Sequence, residues 1–218
     1  MPRRALIERR PWLLASIAAA VAYYLLSDDV TVPGAYLFVL RGVPFALLAI
    51  YALLRHQGQD SRMLAGIMGL AAVGVAVVDL FFYPGIVLLI LSHGLAIALY
   101  TQHRRTWLAP SQKLAAVALL FLTPVIAWLL PADRASAPTI AVYALALGGM
   151  AGAAWTSSFP RYRVGSGALL LVLATILDLA RTGPLAMSPW PELLVWPSYY
   201  LGQFMICTGV IQTLRQRD

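Results

Sequence analysis

Asp79 and Asp178 sit deep inside long apolar runs, GLAAVGVAVVDLFF and GALLLVLATILDLA, while the other seven of the nine acids lie in short polar breaks or at the termini. A carboxylate near the middle of a membrane-spanning helix costs about 2.5–3.5 kcal/mol on insertion scales. Such a residue is a candidate functional group by default, and here there are two. In one low-dielectric cleft both could not easily ionise, so one would keep its proton beside a base. That division of labour suits hydrolysis of an acetal-like or enol-ether bond. Arg41, an arginine well inside an apolar run, has the planar fork that grips a phosphate by two hydrogen bonds.

The elements that must carry these residues are helices in a membrane. The chain is 61% hydrophobic and 11% charged, against about 25% charged in soluble domains. Its net charge of +7 comes from basic residues scattered in small groups between apolar runs, which marks topology rather than a nucleic-acid surface. The single cysteine, Cys207, rules out an internal disulfide. Apolar runs of helical length fall at about 12–27, 35–54, 63–82, 85–102, 113–130, 138–156, 164–181 and 193–214, each long enough or nearly so to cross a bilayer. Turn chemistry separates them, as in RHQGQDSR, YPG, PADRASAP and RTGPLAMSPWPE. The runs are continuous rather than alternating, which excludes a β-barrel. The expected fold is all-α: a polytopic eight-helix transmembrane bundle, one integral membrane domain over residues 1–218.

Orientation follows from counting cations. With the N-terminus inside, inner segments hold Arg3, Arg4, Arg9, Arg10, Arg55, Arg62, Arg104, Arg105, Lys113, Arg161, Arg163, Arg215 and Arg217, and outer segments only Arg134 and Arg181. Cytoplasmic loops are the basic ones, so both termini are expected in the cytoplasm. Outer loops collect Asp28, Asp29, Asp133 and Glu192. The basic head and small residues around Ala18–Ala22 mimic a signal peptide, but a retained first helix is the expectation. The third and seventh runs both read Gly, then Asp ten or eleven residues later, a faint echo of a parallel duplication of helices 1–4 and 5–8.

This topology puts the polar residues at one depth. Asp79 and Asp178 fall near the outer ends of their helices, with Arg41, His93, Tyr199, Tyr200 and Gln203 at similar depth. Polar groups in lipid face a bundle interior or wet cavity, so a cleft opening towards the outer leaflet is expected. An apolar floor and polar mouth suit an amphiphile with one tail. Each residue also has a plainer reading. Arg41 could snorkel to the interface, and Asp178 could pair with Arg181 at i,i+3. His93 could be a packing residue, and Tyr199 and Tyr200 an aromatic belt beside Trp196. Gly148, Gly149 and Gly152 suit close helix packing. Asp79 has no basic neighbour on its own helix, so a structural role fits it least.

Zinc held by Asp79, His93 and Asp178 would leave a single nitrogen ligand, poorer than zinc usually takes, so no metal or other cofactor is expected. No G-x-S-x-G motif occurs. From the residues alone, an intramembrane carboxylate enzyme acting on a lipid and a small proton-coupled transporter or lipid-binding protein both stand. Few polar residues on the inner half, and no Gly/Pro break in paired spans, weigh against the transporter.

In their order these motifs resemble the YhhN-like membrane proteins, to which the lysoplasmalogenases belong, over about residues 36 to 213. The likeness lies in RGVP with Arg41 and Pro44, GVAVVDL with Asp79, ILSHGLAIALY with His93, GALLLVLATILDLA with Asp178, and YYLGQ with Tyr200 and Gln203. The family usually has Lys at Arg41, Gly at Val78, Ser at Leu177 and an aromatic at Ala96, departures that bear on substrate choice. The resemblance implies hydrolysis of the vinyl ether bond of a lysoplasmalogen, a lysophospholipid, to a fatty aldehyde and a glycerophospho-base. One Asp would deliver the proton and the other would activate water. Arg41 would hold the phosphate, with His93, Tyr199, Tyr200 and Gln203 lining the substrate. The expected location is the cell membrane, a bacterial inner membrane, with lysolipid and membrane lipid as partners and no nucleic acid.

Overall fold

The computed structural model describes residues 10–27 and 30–217. Arg3, Arg4, Arg9, Asp28 and Asp29, used above to orient the chain, lie outside the described residues. Among those described, the chain forms eight α-helices, one π-helical turn and no strand beyond a single bridge. The helices are α1 (Arg10–Leu26), α2 (Gly34–Arg55), α3 (Gln59–Val77), α4 (Phe82–Gln102), α5 (Pro110–Leu129), α6 (Ala137–Thr156), α7 (Ser166–Arg181) and α8 (Trp190–Arg217). The π-helical turn, Arg161–Gly165, leads directly into α7.

These helices follow the eight apolar runs, and prolines punctuate them. Pro110 and Pro138 stand in the first turns of α5 and α6, where a missing N–H costs nothing. Six stretches are long and apolar enough to cross a membrane: α2 to α6, and Arg161–Arg181. They mark a membrane protein. The apolar part of α1, Pro11–Leu26, is shorter. Helix α8 is not among the six, being diluted by Glu192, Gln203 and Gln212 and interrupted by Pro197.

One correction bears on the site. The third apolar run extends to residue 82, yet α3 ends at Val77. Phe81 N–H bonds back to the Val77 carbonyl at 2.8 Å, and α4 starts at Phe82. Pro84 fits that first turn. Gly85 lets the turn close, since a Cβ there would lie 2.4 Å from Val78 Cα. The YPG signal placed the break too late: Tyr83, Pro84 and Gly85 lie in the first turn of α4, and the turn itself is apolar apart from Asp79.

The chain divides into two compact units, residues up to Leu95 with those from Leu214 onward, and Ala96–Thr213. In the first, α2 packs on α1 and α3. Ser16 Oγ donates to the Pro44 carbonyl at 2.9 Å, and Ser92 Oγ to that of Ile67 at 2.8 Å. These satisfy hydroxyls that would be costly in hydrocarbon.

In the second unit α5 and α7 both pack on α6 and touch each other less. Gly148 of α6 meets the α5 backbone: a Cβ there would lie 2.4 Å from the Leu119 carbonyl oxygen. Gly152 is similarly placed on Ala116, whereas Gly149 meets only side chains. The close packing expected of this glycine group is therefore carried by Gly148 and Gly152. The basic segment 103–105 and the segment 157–159 that follows α6 join at one end of the unit. There Ser158 N–H donates to the His103 carbonyl at 2.7 Å. Phe159 is fully buried against the rings of Tyr100 and His103.

Candidate functional site

Asp79 stands in the turn after α3, two residues beyond Val77, and its side chain is 47% exposed. The expectation of a deeply buried carboxylate is corrected here, because the helix stops before the acid. Asp79 has no basic neighbour on its own helix, but the Arg41 guanidinium, two turns into α2, donates to its carboxylate. The two lie 38 positions apart and are joined by the packing of α2 on α3. Arg41 is only 22% exposed. Its aliphatic stem is held among the helices while its head reaches the acid, so snorkelling into water alone does not describe it.

His93 belongs to the same unit and is 3% exposed. It lies near the middle of α4, and the helix begins at Phe82, three residues before the expected start at 85. His93 is therefore further from its helix's first turn than the shared-depth reading placed it.

In the second unit Asp178 pairs with Arg181 on α7, Oδ1 to Nη2 at 2.9 Å. The i,i+3 alternative holds, and this carboxylate too is only partly covered, 42% exposed. One turn earlier on the same helix, Thr175 Oγ1 lies 3.4 Å from the hydroxyl of Tyr143 on α6. That hydroxyl is near enough to Asp178 and Tyr199 to interact electrostatically with both. Residues Tyr143, Thr175, Asp178, Arg181 and Tyr199 thus form a polar group drawn from α6, α7 and α8. Tyr200 stands beside Phe204 with rings 6.0 Å apart, and Gln203 is 3% exposed. Helix α8 approaches α7 through two glycines. A Cβ on Gly167 or Gly202 would lie 2.7 Å from the other's carbonyl oxygen, the contact small residues allow between membrane helices.

Tyr143 and Thr175 were missed in the sequence, where both sit in apolar runs. The available signal was Thr175, three residues before Asp178 and so on its face of the helix. The Gly167–Gly202 approach was also missed.

The echo between halves is limited. Each acid holds an arginine, but Asp79 takes one from the preceding helix and stands in a turn, whereas Asp178 takes one from its own helix. Chemically, each pair offers a carboxylate that can exchange protons and a guanidinium that can bind an oxyanion.

Fold and polar residues together define a helical membrane protein with two arginine-held aspartates. The profile of the YhhN family matches residues 36–210, and the chain belongs to that family. No curated protein and no solved structure matches it significantly.

Proposed function

We propose that the protein is a lysoplasmalogenase-like hydrolase, cleaving the vinyl ether bond of a single-tailed lysophospholipid. The observation that carries the reading is that Asp79 and Asp178, both inside the matched residues 36–210, are each held by an arginine. A guanidinium beside a carboxylate is a ready seat for phosphate, which competes for the same fork. Substrate phosphate arriving at Arg41 would draw it off Asp79 and release that carboxyl for proton transfer.

The chemistry needs one carboxyl that gives a proton and one that takes it, and either aspartate can fill either role. The acid protonates the vinyl carbon remote from oxygen, leaving an oxocarbenium ion at the other. Water adds to that carbon while the second carboxylate takes its proton. The second carboxyl then gives its proton to the glycerol oxygen as the hemiacetal C–O bond breaks, the first carboxylate takes the hemiacetal hydroxyl proton, and fatty aldehyde leaves. One water is consumed and both aspartates return to their starting states. His93, Tyr199, Tyr200 and Gln203 are assigned to substrate and water orientation, and Tyr143 joins them through its interaction with Asp178. No cofactor enters the scheme.

In the same reading α1 and α8 also cross the bilayer, making eight spans, with both termini on the cytoplasmic face of the cell membrane. The excess of arginine in the intervening loops supports that orientation. Mass spectrometry of purified protein incubated with a lysolipid panel tests the activity. Aldehyde from vinyl-ether lysolipids alone is expected. Acyl-chain release as fatty acid, or no product from any lysolipid, would refute it.

A further inference from the structure

Within the second unit a groove of about 370 Å³ runs between α5 and α7, with Trp155 of α6 at one end. Its α5 wall is the stripe Ala115, Ala118, Leu122 and Ile126, and Leu169 and Ile176 stand on the α7 side. From Ala115 to Ile126 the wall runs about 16 Å at the helical rise. That is close to half of the roughly 30 Å hydrocarbon core, the depth of one leaflet. The groove lies away from the site above: Asp178 and Arg181 project from the side of α7 opposite Leu169 and Ile176.

A charge stands at the Trp155 end. The Arg161 guanidinium sits over the Trp155 ring, 5.6 Å from its centroid. Its Nη2 donates to the Gln112 side-chain oxygen of α5 at 2.8 Å, in the amide orientation that satisfies both groups. Its buried Nε has no hydrogen-bond partner. The π-helical turn arranges this. Arg161 opens the turn and Gly165 closes it against the same indole, where a Cβ would lie 2.9 Å from the ring. Such wide turns often mark functional positions. Arg105, Lys113 and Arg163 make this the basic end of the unit. An apolar channel one leaflet deep, capped by a clamped cation, has the chemistry of a phospholipid, as basic pockets between membrane helices do.

We propose that this groove binds one acyl chain of an anionic phospholipid from the surrounding bilayer, with its phosphate at Arg161. The lipid is a resident of the fold and not a substrate, so the site stands whatever the protein hydrolyses.

Trp155 is the reporter, its signal isolated from the six tryptophans by subtracting the spectrum of Trp155→Phe. The intact protein is reconstituted in phosphatidylcholine bilayers containing either phosphatidylglycerol or phosphatidylcholine brominated near the glycerol end of the chain. Brominated phosphatidylglycerol should quench Trp155 at mole fractions about fivefold lower than brominated phosphatidylcholine. Arg161→Gln should erase that preference. Ala118→Leu, which fills the groove without touching the charge, should weaken quenching by both lipids, and Val117→Leu, on the exposed face of α5, should change nothing. Equal quenching by the two lipids, or a preference surviving both Arg161→Gln and Ala118→Leu, would overturn the proposal. So would quenching by neither lipid, with Ala118→Leu altering the oligomeric state, since a second copy of the chain would then fill the groove.

Discussion

At the scale of single residues, the arginine held by each aspartate shapes what substitutions should do. Both pairs are partly exposed, and exposed ion pairs contribute about 0–1 kcal/mol. Arg181→Ala should therefore shift the unfolding midpoint in detergent little, by an amount equivalent to less than about 1 kcal/mol. A larger loss would mean that the pair chiefly holds α7 together. Arg41 separates binding from packing in another way. Arg41→Gln removes both the charge and the two-pronged fork, so KM for the lysolipid should rise about tenfold with kcat less affected. An unchanged KM would remove Arg41 from phosphate binding. The Arg41–Asp79 contact was not legible in the sequence, because partners 38 positions apart meet only through helix packing. Asp178–Arg181 was legible, since helical periodicity alone places them together.

At the scale of elements, apolar run length located every helix, because hydrocarbon demands continuous backbone pairing along a span. Ends were less visible. The α3–α4 turn is made of Val78, Leu80 and Phe81 around a single acid, residues that read equally well as helix. Helix contacts depend on which glycines face a neighbour, and this makes a sharp contrast testable. Gly148→Val should clash with the Leu119 carbonyl and cost about 1–3 kcal/mol, read as lost folded yield and a lower midpoint. Gly69→Ala meets nothing within 4 Å and should be neutral or stabilising by up to about 1 kcal/mol. Equal effects would show that α5 and α6 do not meet as described. The lead-in to α6 carries a pH dependence. Ala135 N–H donates to the Asp133 carboxylate at 3.0 Å, and this bond, aided by Ser136, holds the carboxyl below its usual range. A depressed value means that the stabilisation is present above the unfolded value and is lost as pH falls through the folded one. Amide exchange at Ala135, corrected for its intrinsic rate, should therefore quicken only on strong acidification. Quickening near neutral pH would contradict this.

At the scale of the whole molecule, charge counting sets the expected orientation, and it speaks about helix ends rather than side-chain neighbours. That is why it indicated a topology but could not indicate partners such as Tyr143 and Thr175. The orientation can be read with single cysteines in a Cys207→Ser background. Met187→Cys should react with an impermeant thiol reagent added outside, while Trp107→Cys and Tyr162→Cys should react only after the membrane is opened. All three native residues are strongly exposed, so poor access would not explain silence. The reverse pattern, or labelling of all three from outside, would contradict cytoplasmic termini.

The central claim is that both aspartates do the chemistry. Its most direct test is aldehyde release from a vinyl-ether lysolipid by Asp79→Asn and Asp178→Asn, each first shown to keep the wild-type unfolding midpoint. Each substitution should lower turnover by about 10²-fold or more, the usual worth of a positioned acid or base. Wild-type aldehyde release from either folded variant would contradict the account.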